Sequence, residues 1–366
     1  MSKKRAIIKW SLIVILSLIV CVVSFGFWFV SLLPSNAGSS NLNDTRPTDL
    51  PYLSQQDTVS RGNILVVVTS CSTMGDNGKP TGYELTELSR AYYVFQANGF
   101  EVTIASPLGG KPPVIIDKDD MGKFDYAFLN DTTAQRKVSN SIAIEKVNPE
   151  EFRAVYFAGG KGAMFDFPEN TTIQSLVSEY YQTGKVVGAV CHGPAALVNA
   201  TLSDGRPLLT NKTVSSFTNT EELFLIPDAE TIFPFLLQDK LEEKGAQFSD
   251  GHMYLKNVCK DGNLVTGQNP WSTWAVAELM VQQLGYTPAK RVITPEENTI
   301  ELLTSYQNQG YGAAKAKALE LLGKEPKSVD RMLLAMHSIV AAMQFDLGKF
   351  VDLLRLLAAI KNQLGE

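Results

Sequence analysis

The feature that most restricts the fold is a series of short apolar runs that alternate with segments of helical periodicity. Residues 63–70 (NILVVVTS) form a continuous β-branched run, as expected of a strand buried on both faces. Residues 84–98 carry apolar side chains at helical spacing, and Gly99 follows as a typical helix end. Further strands are predicted at 100–105, 152–157 and 185–190, and a further helix at 173–182. This alternation predicts an α/β fold with a mostly parallel sheet covered on both faces.

The last of these strands runs into residues 186–197 (VVGAVCHGPAAL), where Cys191 and His192 are adjacent at a strand-to-helix corner. Small residues such as Gly188 and Gly193 keep the turn uncrowded, which is the layout of a nucleophile elbow. Sites in parallel sheets collect at the carboxyl ends of the strands. Because a helix begins at the corner, we expect the pKa of Cys191 to fall below its usual value of about 8.5. A buried structural cysteine is the alternative interpretation.

A carboxylate is needed to orient the imidazole of His192, and residues 215–222 (SSFTNTEE) supply two candidates after a strand-like stretch. Either Glu221 or Glu222 would complete a Cys–His–acid set. Taken alone, each glutamate also fits a solvated helix face.

A second pair of carboxylates lies in residues 81–88 (TGYELTEL), at the start of the first helix. Glu84 and Glu87 are three residues apart and can share one face of that helix. A carboxylate beside a thiol can hold a proton and relay it. This stretch is therefore a candidate source of the acid–base group, with a solvated helix face as the alternative.

A glycine-rich turn, residues 156–168 (YFAGGKGAMFDFP), follows another predicted strand. Gly159, Gly160 and Gly162 allow backbone N–H groups to approach a ligand, and the amides of Gly160 and His192 are candidate oxyanion donors. No GxGxxG pattern follows the first strand, so a dinucleotide cofactor is not predicted.

Charge and cysteine content exclude several classes of protein. The net charge of -5 and the absence of a basic stripe argue against nucleic-acid binding. The four cysteines are Cys21, Cys71, Cys191 and Cys259. Cys21 lies in an apolar run, and the remaining three have irregular spacing, so neither a disulfide framework nor a metal site is expected.

The N-terminus has the pattern of a membrane anchor. Lys3, Lys4, Arg5 and Lys9 precede Trp10–Leu33, which has 24 residues without a charge. A bilayer requires about 20 apolar residues of helix, whereas the apolar part of a cleaved signal peptide has only about 7–15. We therefore expect residues 7–33 to be retained in a membrane, with the N-terminus in the cytoplasm and the rest of the chain on the extracytoplasmic side. Residues 35–37 are a weak cleavage site, and cleavage is the alternative.

These patterns divide the chain into four parts. The parts are a basic tip and transmembrane anchor (1–33), a flexible stalk (34–60), the α/β domain (61–287) and a three-helix C-terminal extension (288–366). The three helices of the extension are predicted at 295–322, 328–345 and 347–364. The extension fits either a cap on the α/β domain or a module that binds a protein partner.

Taken together, the motifs resemble the ThiJ/PfpI superfamily of class I glutamine-amidotransferase-like domains, and within it the cofactor-independent glyoxalases, which are also described as stress chaperones. The matching stretches lie within about 61–287 and include TGYELTEL, AGGKGAMFDFP, AVCHGPAAL, FTNTEE and DGNLVTGQNP. The resemblance implies a flavodoxin-like, doubly wound sheet. It also implies Cys191 as the nucleophile, His192 oriented by Glu222, and Glu87 as the carboxyl next to the thiol.

One residue departs from the family pattern. Lys161 stands where the family commonly has a histidine in the glycine-rich motif, between Gly160 and Gly162. With Gly159 and Gly160, Lys161 forms the predicted substrate-binding turn. A cation at this place favours an anionic substrate or weakens the usual activity.

The leading hypothesis is a membrane-tethered, glyoxalase III-like hydro-lyase that converts small 2-oxoaldehydes to 2-hydroxy acids through a Cys191 hemithioacetal, with no metal or other cofactor. A cysteine peptidase or amidase is the second hypothesis. A non-enzymatic stress chaperone or scaffold that binds a partner through 288–366 is the third, and a homodimer is also considered. Glutamine hydrolysis is set aside, because neither His252 nor His337 lies in a His-x-Glu motif.

Overall fold

The computed structural model describes residues 3–34, 42–54 and 59–366, which belong to two compact units. The larger unit spans residues 41–293 and contains the sheet. The smaller unit combines residues 1–40 with 294–366 and is helical.

A seven-stranded sheet forms the centre of the larger unit. Its strands are β1 (Asn63–Val67), β2 (Glu101–Ser106), β3 (Ile142–Ala143), β4 (Phe152–Phe157), β5 (Val186–Val190), β6 (Val258–Asp261) and β7 (Leu264–Gly267). They lie in the order β6-β7-β5-β4-β1-β2-β3, and every pairing is parallel except that of β6 with β7. The predicted α/β fold with a mostly parallel sheet is therefore confirmed.

Helices flank the sheet and also build the smaller unit. In chain order they are α1 (Lys3–Leu32), α2 (Leu85–Ala97), α3 (Lys123–Leu129), α4 (Thr132–Ser139), α5 (Thr171–Gln182), α6 (Asn219–Leu225), α7 (Leu237–Glu243), α8 (Thr273–Gln283), α9 (Pro295–Gln309), α10 (Tyr311–Lys324), α11 (Arg331–Met343) and α12 (Leu347–Leu364). Side chains cap several of their N-termini. Asp131 and Asn170, for example, each accept two backbone N–H bonds at the starts of α4 and α5.

The β-branched run of β1 supplies both halves of the core, because successive strand residues point to opposite faces. Ile64 and Val66 pack in one apolar cluster with side chains of α2 and α8. Leu65 and Val67 pack in a second cluster with side chains of α5. All four are fully buried. The sheet is thus covered on both faces, and the carboxyl ends of β1, β4 and β5 are held rigidly.

The predicted flexible stalk is wrong for residues 42–54. This segment forms two short 3-10 helices and one helical turn, and Leu50 and Tyr52 are buried in the core cluster that contains α2. Asn130 Nδ2 also donates to the backbone carbonyls of Asn43 and Thr45, at 2.7 and 2.9 Å. The segment therefore packs on the α/β domain, because Leu50 and Tyr52, two of its large apolar side chains, fit that core. Residues 35–41 and 55–58, including the weak cleavage site at 35–37, lie outside the described residues.

The C-terminal extension has four helices, α9 to α12, where three were predicted. The predicted helix at 295–322 is divided because Gly310 adopts φ = +80°, which ends α9 directly before α10 begins. The predicted boundary at 287/288 is also too early. Ala289 N donates to Asn98 at 2.8 Å, and residues up to Ile293 belong to the larger unit.

Helix α1 contains a 23-residue stretch, Trp10–Leu32, with a mean hydropathy of 2.8, which is long and apolar enough to cross a membrane. Among the described residues no other helix meets that length and composition. Within the smaller unit α1 contacts α12: the rings of Phe25 and Phe350 are 6.3 Å apart, and Lys361 Nζ donates to the carbonyl of Ser31 at 2.6 Å.

Candidate active site

Cys191 directly follows β5 and has φ = +57°, a left-handed conformation that is uncommon for a non-glycine residue. The turn is tight because Gly193 lies against the carbonyl of Phe157, where a Cβ atom would clash. This is the strained corner expected of a nucleophile elbow. The segment that follows is a five-residue 3-10 helix, Gly193–Leu197, instead of the predicted longer helix.

His192 links the thiol to a carboxylate. Its Nδ1 is 3.3 Å from Cys191 Sγ, and its Nε2 is 2.6 Å from Glu222 Oε2. The rings of Phe217 and Phe233 lie near the imidazole, with centroids at 4.8 and 6.2 Å. Burial opposes ionisation of Glu222, but the His192 contact outweighs it and the pKa of Glu222 is lowered. The imidazole is therefore held between a thiol and an ionised carboxylate.

The neighbouring Glu221 has a different environment. Its Oε1 accepts hydrogen bonds from Tyr254 N, Gln268 Nε2 and Asn269 Nδ2, at 2.8 to 3.0 Å. Its Oε2 accepts from the backbone and hydroxyl of Thr218, as in a capping box at the start of α6. Glu221 thus fixes the loop geometry, while Glu222 is the carboxylate that contacts the imidazole.

Glu87 lies in the first turn of α2 and is completely buried. Its Oε2 accepts a hydrogen bond from Gly159 N at 2.6 Å, whereas Oε1 has no hydrogen-bond partner in the described part of the chain. Burial raises the pKa of Glu87 to about 8, although interactions with the Cys191 thiol, the Gly159 amide and the cations Arg90 and Lys161 each lower it. At neutral pH this carboxyl group is therefore mostly protonated, with Oε1 available to carry the proton.

The expected low pKa of Cys191 is wrong for the structure as it stands. The thiol is only 5% exposed, and burial raises its pKa well above the ordinary value. Glu87 raises the pKa further, and Lys161 opposes this only in part. The physical reason is that the acidic neighbour lies against the sulfur, while the short 3-10 segment supplies a weak helix N-terminus.

The glycine-rich turn closes the site on the other side. A Cβ atom on Gly159 would lie 2.7 Å from both Glu87 Oε2 and His192 N, and Gly160 has φ = +97°. Both positions therefore require glycine. Among the described residues, the amides of Gly160 and His192 have no backbone or side-chain acceptor, which leaves them available as oxyanion donors. Lys161 is partly buried, and its positive charge lowers the pKa of Glu84, Glu87 and Glu222.

Sequence reasoning missed several residues around the site. Phe233 and Tyr254 lie in two separate irregular turns, one just before α7 and one well after it, so no strand or helix periodicity indicated them. The hydroxyl of Tyr254 is buried and has no partner in the described part of the chain. Burial, followed by the charges of Glu221 and Glu222, raises its pKa above the ordinary value. Glu84 was not missed: it is the alternative carboxylate considered beside Glu87. It also has a buried carboxyl oxygen, and burial together with Glu87 raises its pKa well above normal.

A groove of about 720 Å³ opens next to Phe233, whose ring lies near the His192 imidazole. Phe233 and Phe165 line it, with ring centroids 5.7 Å apart, and the opposite side includes Met74 and Lys79. Cys191 is not among the residues that line the groove. The groove therefore adjoins the reactive cluster without containing it.

Comparison with known proteins identifies the family to which this chain belongs. Residues 80–223 match the DJ-1/PfpI family. A glutathione-independent glyoxalase of Schizosaccharomyces pombe, hsp3101, is 32% identical over 242 residues, which cover 61% of this chain and 96% of the relative. Glyoxalase III from Candida albicans has a similar structure, with a TM-score of 0.56, 25% identity and coverage of 61% of this chain and 97% of that one. The 24 kDa rapid encystment protein of Francisella tularensis has a TM-score of 0.57 and 35% identity, with coverage of 61% and 99%.

The chain belongs to the DJ-1/PfpI family and is a glyoxalase III-like member of it. This confirms the family resemblance seen in the motifs. The matched part accounts for about three fifths of the chain, because the relatives are shorter.

Proposed function

We propose that this protein converts small 2-oxoaldehydes, such as methylglyoxal, to 2-hydroxy acids without glutathione, using Cys191 as the nucleophile. The observation that carries the proposal is the pairing of an enclosed thiol with the buried carboxyl of Glu87, whose pKa is raised to about 8. Such a carboxyl can exchange a proton at neutral pH. The names of the relatives support the same substrate class.

In the first step, the Glu87 carboxylate accepts the thiol proton while Cys191 Sγ bonds to the aldehyde carbon. The aldehyde oxygen becomes negative and receives hydrogen bonds from the amides of Gly160 and His192. It then takes the proton that Glu87 accepted from the thiol, which gives a hemithioacetal and restores the Glu87 carboxylate. His192, oriented by Glu222, stabilises the negative charge that develops in this step.

In the second step, the former aldehyde carbon loses its proton and the adjacent ketone oxygen gains one, which gives an enediol. The adjacent carbon then gains a proton while the hydroxyl on the former aldehyde carbon loses its own, which produces a thioester of the 2-hydroxy acid. Glu87 is the group placed to move these protons. Water then attacks the thioester, the bond to Cys191 Sγ breaks, and the thiol regains its proton. The sum is 2-oxoaldehyde plus water giving 2-hydroxy acid, so no oxidant or reductant is consumed.

The full-length chain in detergent is expected to form lactate from methylglyoxal, and Cys191→Ser is expected to reduce kcat/KM by at least about 10³-fold, because a hydroxyl is a far weaker nucleophile. Cys71→Ser is the matched control, since Cys71 is a second free cysteine of the same unit. Equal turnover by Cys191→Ser and the wild type would contradict the proposal.

One observation favours a second candidate, a cysteine peptidase or amidase. Cys191, His192 and Glu222 are in contact in the order of a Cys–His–acid triad. The small exposure of Cys191 favours a small carbonyl compound over a peptide segment. Cleavage of peptide substrates that survives Glu87→Gln but is lost in Cys191→Ser would favour the hydrolase instead.

We also propose that α1 anchors the enzyme in a membrane, with the α/β domain on the extracytoplasmic side. Supporting features are the apolar stretch Trp10–Leu32, the tryptophans Trp10 and Trp28 near its two ends, and the basic residues that precede it. Protease added to intact expressing cells should degrade the α/β domain. Degradation only after permeabilisation would contradict this orientation.

A further inference from the structure

The turn between α11 and α12 exposes an apolar cluster, which we call the apolar tip. It consists of Met343, Phe345, Leu347 and Val351, which are 60, 88, 67 and 50% exposed. Soluble surfaces rarely concentrate large apolar side chains in this way, and such patches commonly mark a binding surface. The turn that carries the tip has a specific backbone geometry, in which Phe345 adopts φ = +59°.

The contacts between α1 and α12 place the tip relative to the anchor. Phe25 contacts Phe350, and Ser31 contacts Lys361, so both helices run in the same direction. Phe25 lies seven residues before Leu32, which is ~10 Å of helix inside the apolar stretch. Leu347 precedes Phe350 along α12, so the tip lies at the depth of Phe25 or further toward the middle of α1. Lipid that surrounds α1 at that depth would therefore meet the tip.

We infer that the apolar tip inserts into the same leaflet of the bilayer that α1 leaves, as a second membrane contact of the C-terminal helices. The inference rests on the proposed membrane anchoring by α1. Its occupant is lipid acyl chain, because the four exposed side chains are apolar and lie next to a segment of membrane-spanning length. The helical extension then lies against the membrane beside the anchor, instead of standing away from the membrane surface.

The backbone donors of the tip are compatible with this position. Phe345 N, Asp346 N and Leu347 N all donate to backbone carbonyls, to Ala342, Ala341 and Phe345 respectively, at 2.9 to 3.0 Å. The exposed carboxylate of Asp346 caps α12 by accepting from Lys349 N at 2.9 Å. Backbone donors satisfied within the turn reduce the cost of entering lipid.

The experiment uses the full-length chain in phosphatidylcholine vesicles, with a polarity-sensitive NBD fluorophore on one cysteine at a time. Cys71, Cys191 and Cys259 are replaced by alanine, and circular dichroism melting verifies folding. The first probe is on native Cys21, within α1, and the second is on Phe345→Cys. The matched control is Lys327→Cys, an exposed position beyond the opposite end of α11; Cys21 is also replaced by alanine in the last two proteins.

Nitroxide-labelled lipid is expected to quench the probes at 21 and 345 severalfold more than the probe at 327. Strong quenching at 21 with equal quenching at 345 and 327 would overturn the insertion of the tip while leaving the anchor intact. Absence of quenching at 21 would overturn the anchor, and the inference with it. A probe at 345 that is shielded from aqueous iodide but not quenched by lipid would show that a protein surface or a second copy covers the tip, which also overturns the inference.

Discussion

Two buried carboxylates of the same domain, Glu222 and Glu87, have pKa values shifted in opposite directions. Burial disfavours the charge on both. Glu222 has the His192 imidazole at 2.6 Å, and the pKa of Glu222 is lowered. Glu87 has an amide N–H and a thiol as its nearest partners, and its pKa is raised to about 8.

The difference shows how one site assigns two roles to the same side-chain type. A partner that can become positively charged keeps Glu222 ionised, which suits it to orient His192. Without such a direct partner, Glu87 keeps its proton to near neutral pH, which suits it to exchange protons with the substrate. Glu87 is thus the proposed acid–base group and Glu222 a positioning residue.

Among the substitutions that test these two roles, the loss of Glu87 is expected to have the largest effect on activity. Glu87→Gln removes the titratable group but keeps the shape, and we expect kcat/KM for methylglyoxal to fall by about 10²–10⁴-fold. The measurement is lactate formation at pH 7. The matched control, Glu84→Gln, changes a carboxyl group three residues away and should retain most of the activity. A Glu87→Gln enzyme with wild-type kcat/KM would refute the acid–base role.

A smaller loss is expected when Glu222 is changed. Hydrogen bonds to charged groups are worth ~1.5–3 kcal/mol, so Glu222→Gln should reduce kcat by about 10- to 100-fold. Because Glu222 acts through His192, the KM should change little. The dependence of kcat/KM on pH should keep the inflection near pH 8 that Glu87 is expected to cause. A loss of the inflection near pH 8 in this variant would show that Glu222, and not Glu87, is the titrating group.

The sequence predicted the site better than it predicted the site's electrostatics. The corner at Cys191 follows from a local strand-to-helix motif, whereas the choice of Glu222 over Glu221 came from the family resemblance. The direction of the thiol pKa does not follow, because it depends on burial and on the contact with Glu87, 104 positions away in the chain. Phe233 and Tyr254 were missed because each lies in an irregular turn outside the helices and strands, where the sequence has no periodicity.

The same distinction applies to the fold. The sheet was predictable because the runs at β1, β4 and β5 are apolar and regular. Residues 42–54 were not, since two apolar side chains, Leu50 and Tyr52, in a polar segment give no periodic signal. The division of the first C-terminal helix depends on Gly310, whose positive φ cannot be distinguished in the sequence from a glycine tolerated within a helix.

The smallest effect concerns Lys161, which stands at the position where the family commonly has histidine. Its charge lowers the pKa of Glu87, so Lys161→Gln should raise that pKa and reduce kcat/KM at pH 7. A partly exposed charge of this kind contributes ~0.2–1 kcal/mol, which is roughly 1.4- to 5-fold. Activity should return when the pH is raised by less than about one unit. A change that is independent of pH would mean that Lys161 acts by contact with the substrate.

The most direct test of the account is the pH dependence of kcat/KM for lactate formation by the wild-type chain. The proposed first step requires the carboxylate form of Glu87, and the pKa of Cys191 lies higher, so Glu87 is the first group of the pair to lose its proton. We expect kcat/KM to rise about tenfold per pH unit below pH 8 and to level off above it, and the residual activity of Glu87→Gln to lack this inflection. A wild-type profile that is flat from pH 6 to pH 9 would contradict it.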